Sequence, residues 1–536
     1  MRSNKTSSFL SLLFLALMSY SSISCAQSIK LSTKDSEAPK FAHSITGIEL
    51  KKKLAVLSSD SLEGRETGTE GAEKAAKFIA KTFRADGLTA PVSKANHKKS
   101  YFLPIPLKQW VPQNGTLMIG NLSFESGKDF LPVSRDANLK QDFRENPVYI
   151  GYHQSSDSSH ALDFQGLDIQ GQIVILVPEK STSLSGGIQG MIPLYNFFRK
   201  LRLDLKPLLD KKPRAIFITN DQTASLAQNE IFNKFRKSPQ MGFDPNGVGS
   251  PLGIFLLSPE ATEQILGLSS QSIASLKAKP AGPITLAQEL HLNIPLKVDD
   301  VAASDVLGFM EGTDLKDQVL VLSAHYDHLG KHDGKIYHGA DDDGSGTAAL
   351  LTMADAFSKA KKAGHGPRRS ILFLANVGEE KGLLGSYYYS EHPVFPVAKT
   401  ITDLNVDMIG RVDSAHIKDS AYVYVIGSGK LSSTLQNISE TVNKKFMNLS
   451  LDYTYDSPTD PNQFYYRSDH YNFARLGIPI IFYFNGVHED YHQPTDVIEK
   501  INFGIYSKRT QLVFYTAWDL ANRTDRPIVD RKSDFK

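Results

Sequence analysis

Five short segments carry side chains able to bind metal and move protons: AHYDHLG at 324–330, GADDDGSG at 339–346, GEEKGLLGS at 378–386, NVDMIG at 405–410 and YHQPTD at 491–496. They supply His325, Asp327 and His328, the triplet Asp341-Asp342-Asp343, the pair Glu379-Glu380, Asp407, and finally His492 and Asp496. Imidazoles with several carboxylates and no thiolate suit zinc, with manganese or cobalt as substitutes, and exclude iron–sulfur chemistry. One ion does not need so many carboxylates. Two ions sharing one do, and such pairs sit about 3.5–4 Å apart. Three coordinating carboxylates and a bridging hydroxide offset the four positive charges of two divalent ions; without cations the cluster repels itself. Singly each segment is weak, since an Asp triplet before Gly-Ser-Gly is ordinarily a solvated turn. Their joint occurrence, mostly at expected strand ends, is what points to a site.

The elements that must position them are legible. QVLVLSA at 318–324 and SILFLANV at 370–377 are near-continuous apolar runs, as strands covered on both faces require. Residues 404–406 and 478–484 read as further inner strands. Leu350, Met353, Ala354 and Phe357 recur at helical spacing between them. Strands alternating with helices predict an α/β layered sheet, in which ligands bind outside the carboxyl ends of the strands. Upstream, Ala72, Ala75, Ala76, Ile79, Ala80 and Phe83 mark one face of a helix, with Thr69 to cap it and Gly87 to stop it. From about 127 to 287 the texture changes to short β-rich runs (147–151, 172–177, 215–219, 253–257), with a helix and loop expected over 201–213.

The chain has 536 residues, about three or four domains' worth. Its 60 basic and 58 acidic residues leave a formal charge of +2, which provides no footprint for nucleic acid. Cys25 is the single cysteine, so disulfides and thiolate metal sites are excluded. Arg2 and Lys5, the apolar run 9–18 and the small residues 24–26 have the form of a secretory signal, and no segment is long and apolar enough to span a bilayer. Cleavage after Ala26 competes with a loose lipobox in which Cys25 would carry a lipid anchor. Either route exports the protein from a bacterial cytoplasm, to the periplasm, the medium or, as a lipoprotein, the outer membrane.

The five motifs together resemble the co-catalytic di-zinc aminopeptidase family, whose relatives include glutamate carboxypeptidases, glutaminyl cyclases and the transferrin-receptor ectodomain. The stretch 58–83 is similar to the start of that family's catalytic domain. The resemblance implies a three-layer αβα zinc-exopeptidase fold with a mixed, mainly parallel sheet and an inserted β-rich, protease-associated-like domain. The corresponding division is a signal peptide at 1–26, a linker at 27–43, catalytic parts at 44–126 and 291–525 around an insert at 127–290, and a polar tail at 526–536. It implies two zinc ions bridged by Asp342, with a cis peptide to Asp343; His325 and Asp407 complete one site, Glu380 and His492 the other. Glu379 would be the general base for a metal-bridging hydroxide, and Tyr491 a donor to the tetrahedral oxyanion. Asp327 and Asp496 would hold the second nitrogens of His325 and His492. Arg467 and Asp469 would line the substrate pocket. The implied activity is removal of N-terminal residues from peptides, with a carboxypeptidase or dipeptidase, or a non-catalytic binding protein, as alternatives. Whether Arg65 or His338 enters the site stays open on the sequence.

Overall fold

The computed structural model describes residues 29–133, 141–153, 166–178, 191–244, 253–268 and 283–532. The signal segment with Cys25, and residues 533–536 of the tail, lie outside the described residues.

The apolar runs become the middle of a nine-stranded sheet. Its strands in chain order are β1 (Phe102–Pro112), β2 (Gln240–Gly242), β3 (Leu296–Met310), β4 (Leu315–His325), β5 (Arg369–Asn376), β6 (Thr400–Val406), β7 (Tyr422–Ile426), β8 (Ser450–Asp452) and β9 (Ile480–Phe484). They lie in the order β2-β1-β3-β5-β4-β6-β9-β7-β8. The run β5-β4-β6-β9 is parallel, as is the β7-β8 pair, and the remaining pairs are antiparallel. The parallel run is the part that needs apolar residues on both faces. Along β4, Leu320, Leu322 and Ala324 point into one core and Val319 and Val321 into the other.

The first core is roofed by α1 (Gly47–Leu57), α2 (Glu70–Asp86), α3 (Gly344–Lys362), α5 (Ser433–Phe446) and α6 (Phe503–Asn522); α4 (Leu384–Glu391) packs Tyr389 into the second. Helix α2 forms as its periodicity requires. The six residues of its predicted apolar face are buried, Thr69 Oγ1 accepts from the Ala72 amide, and Gly87 ends it at a φ of 85°.

Two further sheets lie between β1 and β3. One has four strands, Leu122–Glu125, Thr116–Ile119, Leu290–Ile294 and Gln141–Glu145; the other has six, centred on Ile173–Pro178 and Ala215–Thr219. This unit therefore begins near 116 and ends near 294, wider than the expected 127–290. The strand at 116–119 hydrogen-bonds its partner at 290–293, which no local pattern announces. A helix in this unit, Met191–Leu209, starts ten residues before the expected one.

The expected linker at 27–43 is also corrected. Residues 33–42 form a turn of 3₁₀ helix and a short α-helix. Phe41 stacks on Trp518 of α6 at 5.6 Å, and the Ser32 amide donates to Asp519 at 2.7 Å. Ala38, Phe41 and Ala42 at i, i+3 and i+4 provide the apolar face that docks there. The start of the tail is likewise tied down, by the Ser433 amide donating to Asp530 at 2.9 Å.

Candidate metal centre

The chemistry-bearing residues meet at the carboxyl ends of the parallel strands. His325 is the last residue of β4, Glu379 and Glu380 follow β5, Asp407 follows β6, and His492 lies in the loop after β9. The triplet sits at the start of α3, where the unpaired amides and the helix dipole favour negative charge. Asp343 caps that helix by accepting from the Gly346 amide at 2.7 Å and also takes the Met408 amide at 3.0 Å. A Cβ at position 346 would lie 2.2 Å from the Val406 carbonyl oxygen, so glycine is required where α3 meets β6. The Asp342–Asp343 peptide is cis.

Asp342 is central because its two oxygens face opposite ways. Oδ1 lies 3.5 Å from His325 Nε2, which is itself 3.7 Å from Asp407 Oδ1. Oδ2 lies 3.0 Å from His492 Nε2, which is 3.3 Å from Glu380 Oε2. Two sets of N and O donors thus converge on the two sides of one carboxylate. His325, Asp342 and Asp407 form one group with ion-binding spacing; His328, Asp342 and Glu380 form another.

Burial makes these groups costly without a cation. His325 Nε2, Asp342 Oδ2 and Glu380 Oε1 are buried and have no hydrogen-bond partner, a penalty of about 1–3 kcal/mol each and more when charged. The electrostatics run the same way. Burial opposes charge on His492, yet Asp342 and Glu380 push it up to about 10. Glu380, against burial and Asp342, is drawn down to about 2 by His328 and His492. The carboxylates demand positive charge at these points, so the donor set fits divalent cations, and imidazole with carboxylate suits zinc.

Glu379 stands apart from both groups, its Oε2 3.9 Å from His325 Nε2. Burial, with Glu380, Asp407 and Asp469 adding like charge, pushes its carboxyl well above the usual range. Glu379 and Tyr491 line a cleft together with Arg467 and an apolar wall that includes Met408, Phe464, Phe482 and Phe484. The Tyr491 ring stacks on His492 at 3.8 Å, and its hydroxyl accepts from Arg467 Nη2 at 3.4 Å.

Three expected contacts are different in the structure. His325 Nδ1 lies 3.1 Å from the backbone carbonyl of Asp327, which can only accept, so Nδ1 carries a proton and Nε2 is the nitrogen turned toward Asp342. The Asp327 carboxylate, 3.6 Å away at its nearer oxygen, instead takes the Thr67 hydroxyl at 2.6 Å and the Glu379 amide at 3.2 Å. Asp496 does not hold His492; it accepts the amides of Asp341 and Asp342 at 3.0–3.1 Å. Those amides precede a helix and lack intrahelical partners, so they claim the carboxylate. Asp469 is fully buried at the start of a short helix and lies outside the lining of the cleft.

His328, to which the motif reading gave no role, lies beside the second donor group. It is fully buried, with Nδ1 2.9 Å from Glu380 Oε1. The signal was present, a second imidazole three residues after His325. His338 stays outside, 2.8 Å from Asp60. Arg65 does not enter the cleft but braces it. Fully buried, it donates to the carbonyls of Tyr326, Leu57, His338 and Gly339 at 2.5–2.9 Å, joining β4 to the loop before the Asp triplet. Arg65→Met leaves those carbonyls unpaired and removes a cation from the carboxylate cluster. It should lower the unfolding free energy by roughly 3–5 kcal/mol. An unchanged urea midpoint would refute that role.

Residues 305–517 match the sequence profile of peptidase family M28. Over this segment the chain is similar to that family. Over 215 residues the chain is 28% identical to a probable leucine aminopeptidase of Trichophyton verrucosum, covering 39% of this chain and 56% of that protein. Over 256 residues it is 25% identical to aminopeptidase YwaD of Bacillus subtilis, covering 46% and 51% respectively. The chain thus spans about half the length of these curated relatives. Among solved structures, the aminopeptidase from Aneurinibacillus sp. strain AM-1 aligns with 92% of this chain and 98% of its own, at 17% identity and a TM-score of 0.49. No helix among the described residues of the M28 segment or its surroundings is long and apolar enough to cross a membrane.

Proposed function

We propose that the protein is an exported di-zinc aminopeptidase acting on peptides with an apolar N-terminal residue. The observation that carries this reading is the division of Asp342, one oxygen toward His325 and the other toward His492, beside a Glu379 that belongs to neither group. His325, Asp342 and Asp407 would hold one ion, and Asp342, Glu380 and His492 the other. When bound, two such ions polarise the scissile carbonyl and acidify water near neutral pH. Glu379, with a carboxyl raised by burial, takes the water proton and returns it to the leaving amine. Tyr491, its hydroxyl at the cleft wall, donates to the oxyanion. The unit at 116–294, read as protease-associated-like, would limit access to the cleft, and the leader at 1–26 would direct export.

The test is hydrolysis of a leucine anilide and its N-acetylated twin before and after chelation. Chelator-sensitive cleavage of the free-amine substrate alone supports the reading. Because the apolar wall buries the side chain, leucine and phenylalanine anilides should exceed the glycine anilide in kcat/KM by roughly 10- to 100-fold. Equal rates across that series would remove the specificity assignment. Arg467 at the cleft wall favours one second reading, a carboxypeptidase or dipeptidase that holds a substrate carboxylate. Cleavage of the N-acetylated dipeptide but not the anilide would move the assignment there.

A further inference from the structure

β6 carries a row of buried polar residues. Asp403 and Asn405 alternate along the strand on one face, with Asp407 just beyond its end, while Leu404 and Val406 pack into the opposite core. Asp403 and Asn405 are fully buried, as is Ser323, which faces Asn405 from the neighbouring β4.

Counting hydrogens along this row leaves one arrangement. As a metal ligand Asp407 is ionised and can only accept, so the Ser468 hydroxyl, 2.6 Å from its Oδ2, spends its single proton there. Ser468 Oγ then accepts from Asn405 Nδ2 at 2.9 Å. A flipped Asn405 amide would present an acceptor to Ser468 and draw that proton from Asp407. With Nδ2 on Ser468, Asn405 Oδ1 faces Ser323 Oγ at 2.9 Å and needs its proton. Ser323 Oγ also lies 2.8 Å from Asp403 Oδ1, and it has no second proton to offer.

We infer that Asp403 is a neutral carboxylic acid whose O–H donates to Ser323, setting the direction of a relay through Asn405 and Ser468 that holds Asp407 by Oδ2 and leaves Oδ1 for the ion beside His325. Asp403 is thus a positioning residue. Its other oxygen has no hydrogen-bond partner, a cost that a neutral acid bears far better than a carboxylate. Burial, and secondarily the Asp469 carboxyl, hold its proton well above the ordinary range. The inference rests on the assignment of Asp407 as a metal ligand.

The experiment compares Asp403→Asn, Asp403→Leu and Ser468→Ala with the wild type by zinc titration against a competing chelator and by infrared difference spectroscopy of the zinc-free proteins. Asn keeps an N–H donor toward Ser323, so Asp403→Asn should bind zinc as tightly as the wild type. Asp403→Leu and Ser468→Ala should weaken one of the two ions by roughly tenfold or more. The wild-type-minus-Asn spectrum should show a lost carboxylic-acid C=O band. An Asn variant as weak as the Leu variant, or the absence of that band, would overturn the inference, as would wild-type affinity in both Leu and Ala variants. Should Asp403→Leu not fold, the Asn and Ala variants and the spectrum decide. A wild type that binds no zinc fails the metal assignment instead, and the infrared band still decides the proton on Asp403.

Discussion

Glu379→Gln is expected to bind zinc as the wild type does and to lose at least roughly two orders of magnitude in kcat. The reasons lie in geometry. The Glu379 amide is fixed by Asp327 at 3.2 Å and its carboxylate faces the cleft, outside both donor groups. Glutamine preserves size and hydrogen bonding but cannot accept a proton from water or deliver one to the departing amine. Removing a negative charge from a buried cluster that already holds Glu380, Asp407 and Asp469 also relieves repulsion. The variant should therefore be no less stable than the wild type. Single-turnover rates and metal content measured on one preparation check both halves. Full turnover with both ions in place would dismiss Glu379 as the base. Metal loss would instead place it among the ligands.

Asp342→Ala should have the largest effect on metal. One carboxylate serves both donor groups, so its removal weakens both ions together, by more than the roughly 10–100-fold that loss of an outer hydrogen-bond partner costs. Asp407→Ala should weaken one ion and spare the other. Titration of metal-free protein with zinc distinguishes the patterns, and equal stoichiometries in the two variants would contradict the bridging role. The variant should also differ from the wild type without metal. In the zinc-free wild type His325 and His492 flank Asp342 and hold its carboxyl well below the ordinary range, so zinc-free Asp342→Ala should melt below the zinc-free wild type at neutral pH. A zinc-free variant that melts no lower than the wild type would mean that these pairs contribute nothing without the ions.

Much of this molecule was present in local pattern. A strand buried on both faces is mostly apolar, so the polar residue that follows QVLVLSA, His325, had to emerge at the carboxyl end of the sheet; β6, with Asp403 and Asn405 buried along it, announced Asp407 less clearly. Helix α2 could be read with both ends because capping and a left-handed glycine are properties of neighbouring residues. These features depend on a few consecutive side chains and one period. The co-occurrence of five such segments then indicated a metal site.

The tertiary structure decided what depends on competition among distant groups. Whether Asp496 served His492 or the amides before α3 turned on which donors folding left unpaired, and those amides lie 154 and 155 residues away. The reach of the unit at 116–294 rested on a strand pair, 116–119 with 290–293, that is still more distant in sequence. Arg65 could be placed only once four carbonyls from three separate segments had closed around it. The proton on Asp403 follows from counting donors across two strands and a loop. Sequence alone thus determined which residue types arrive at the sheet edge, since solvent exclusion acts on each segment by itself. Their partners were determined by the fold, because a buried donor or acceptor must pair with whatever the rest of the chain brings within about 3 Å.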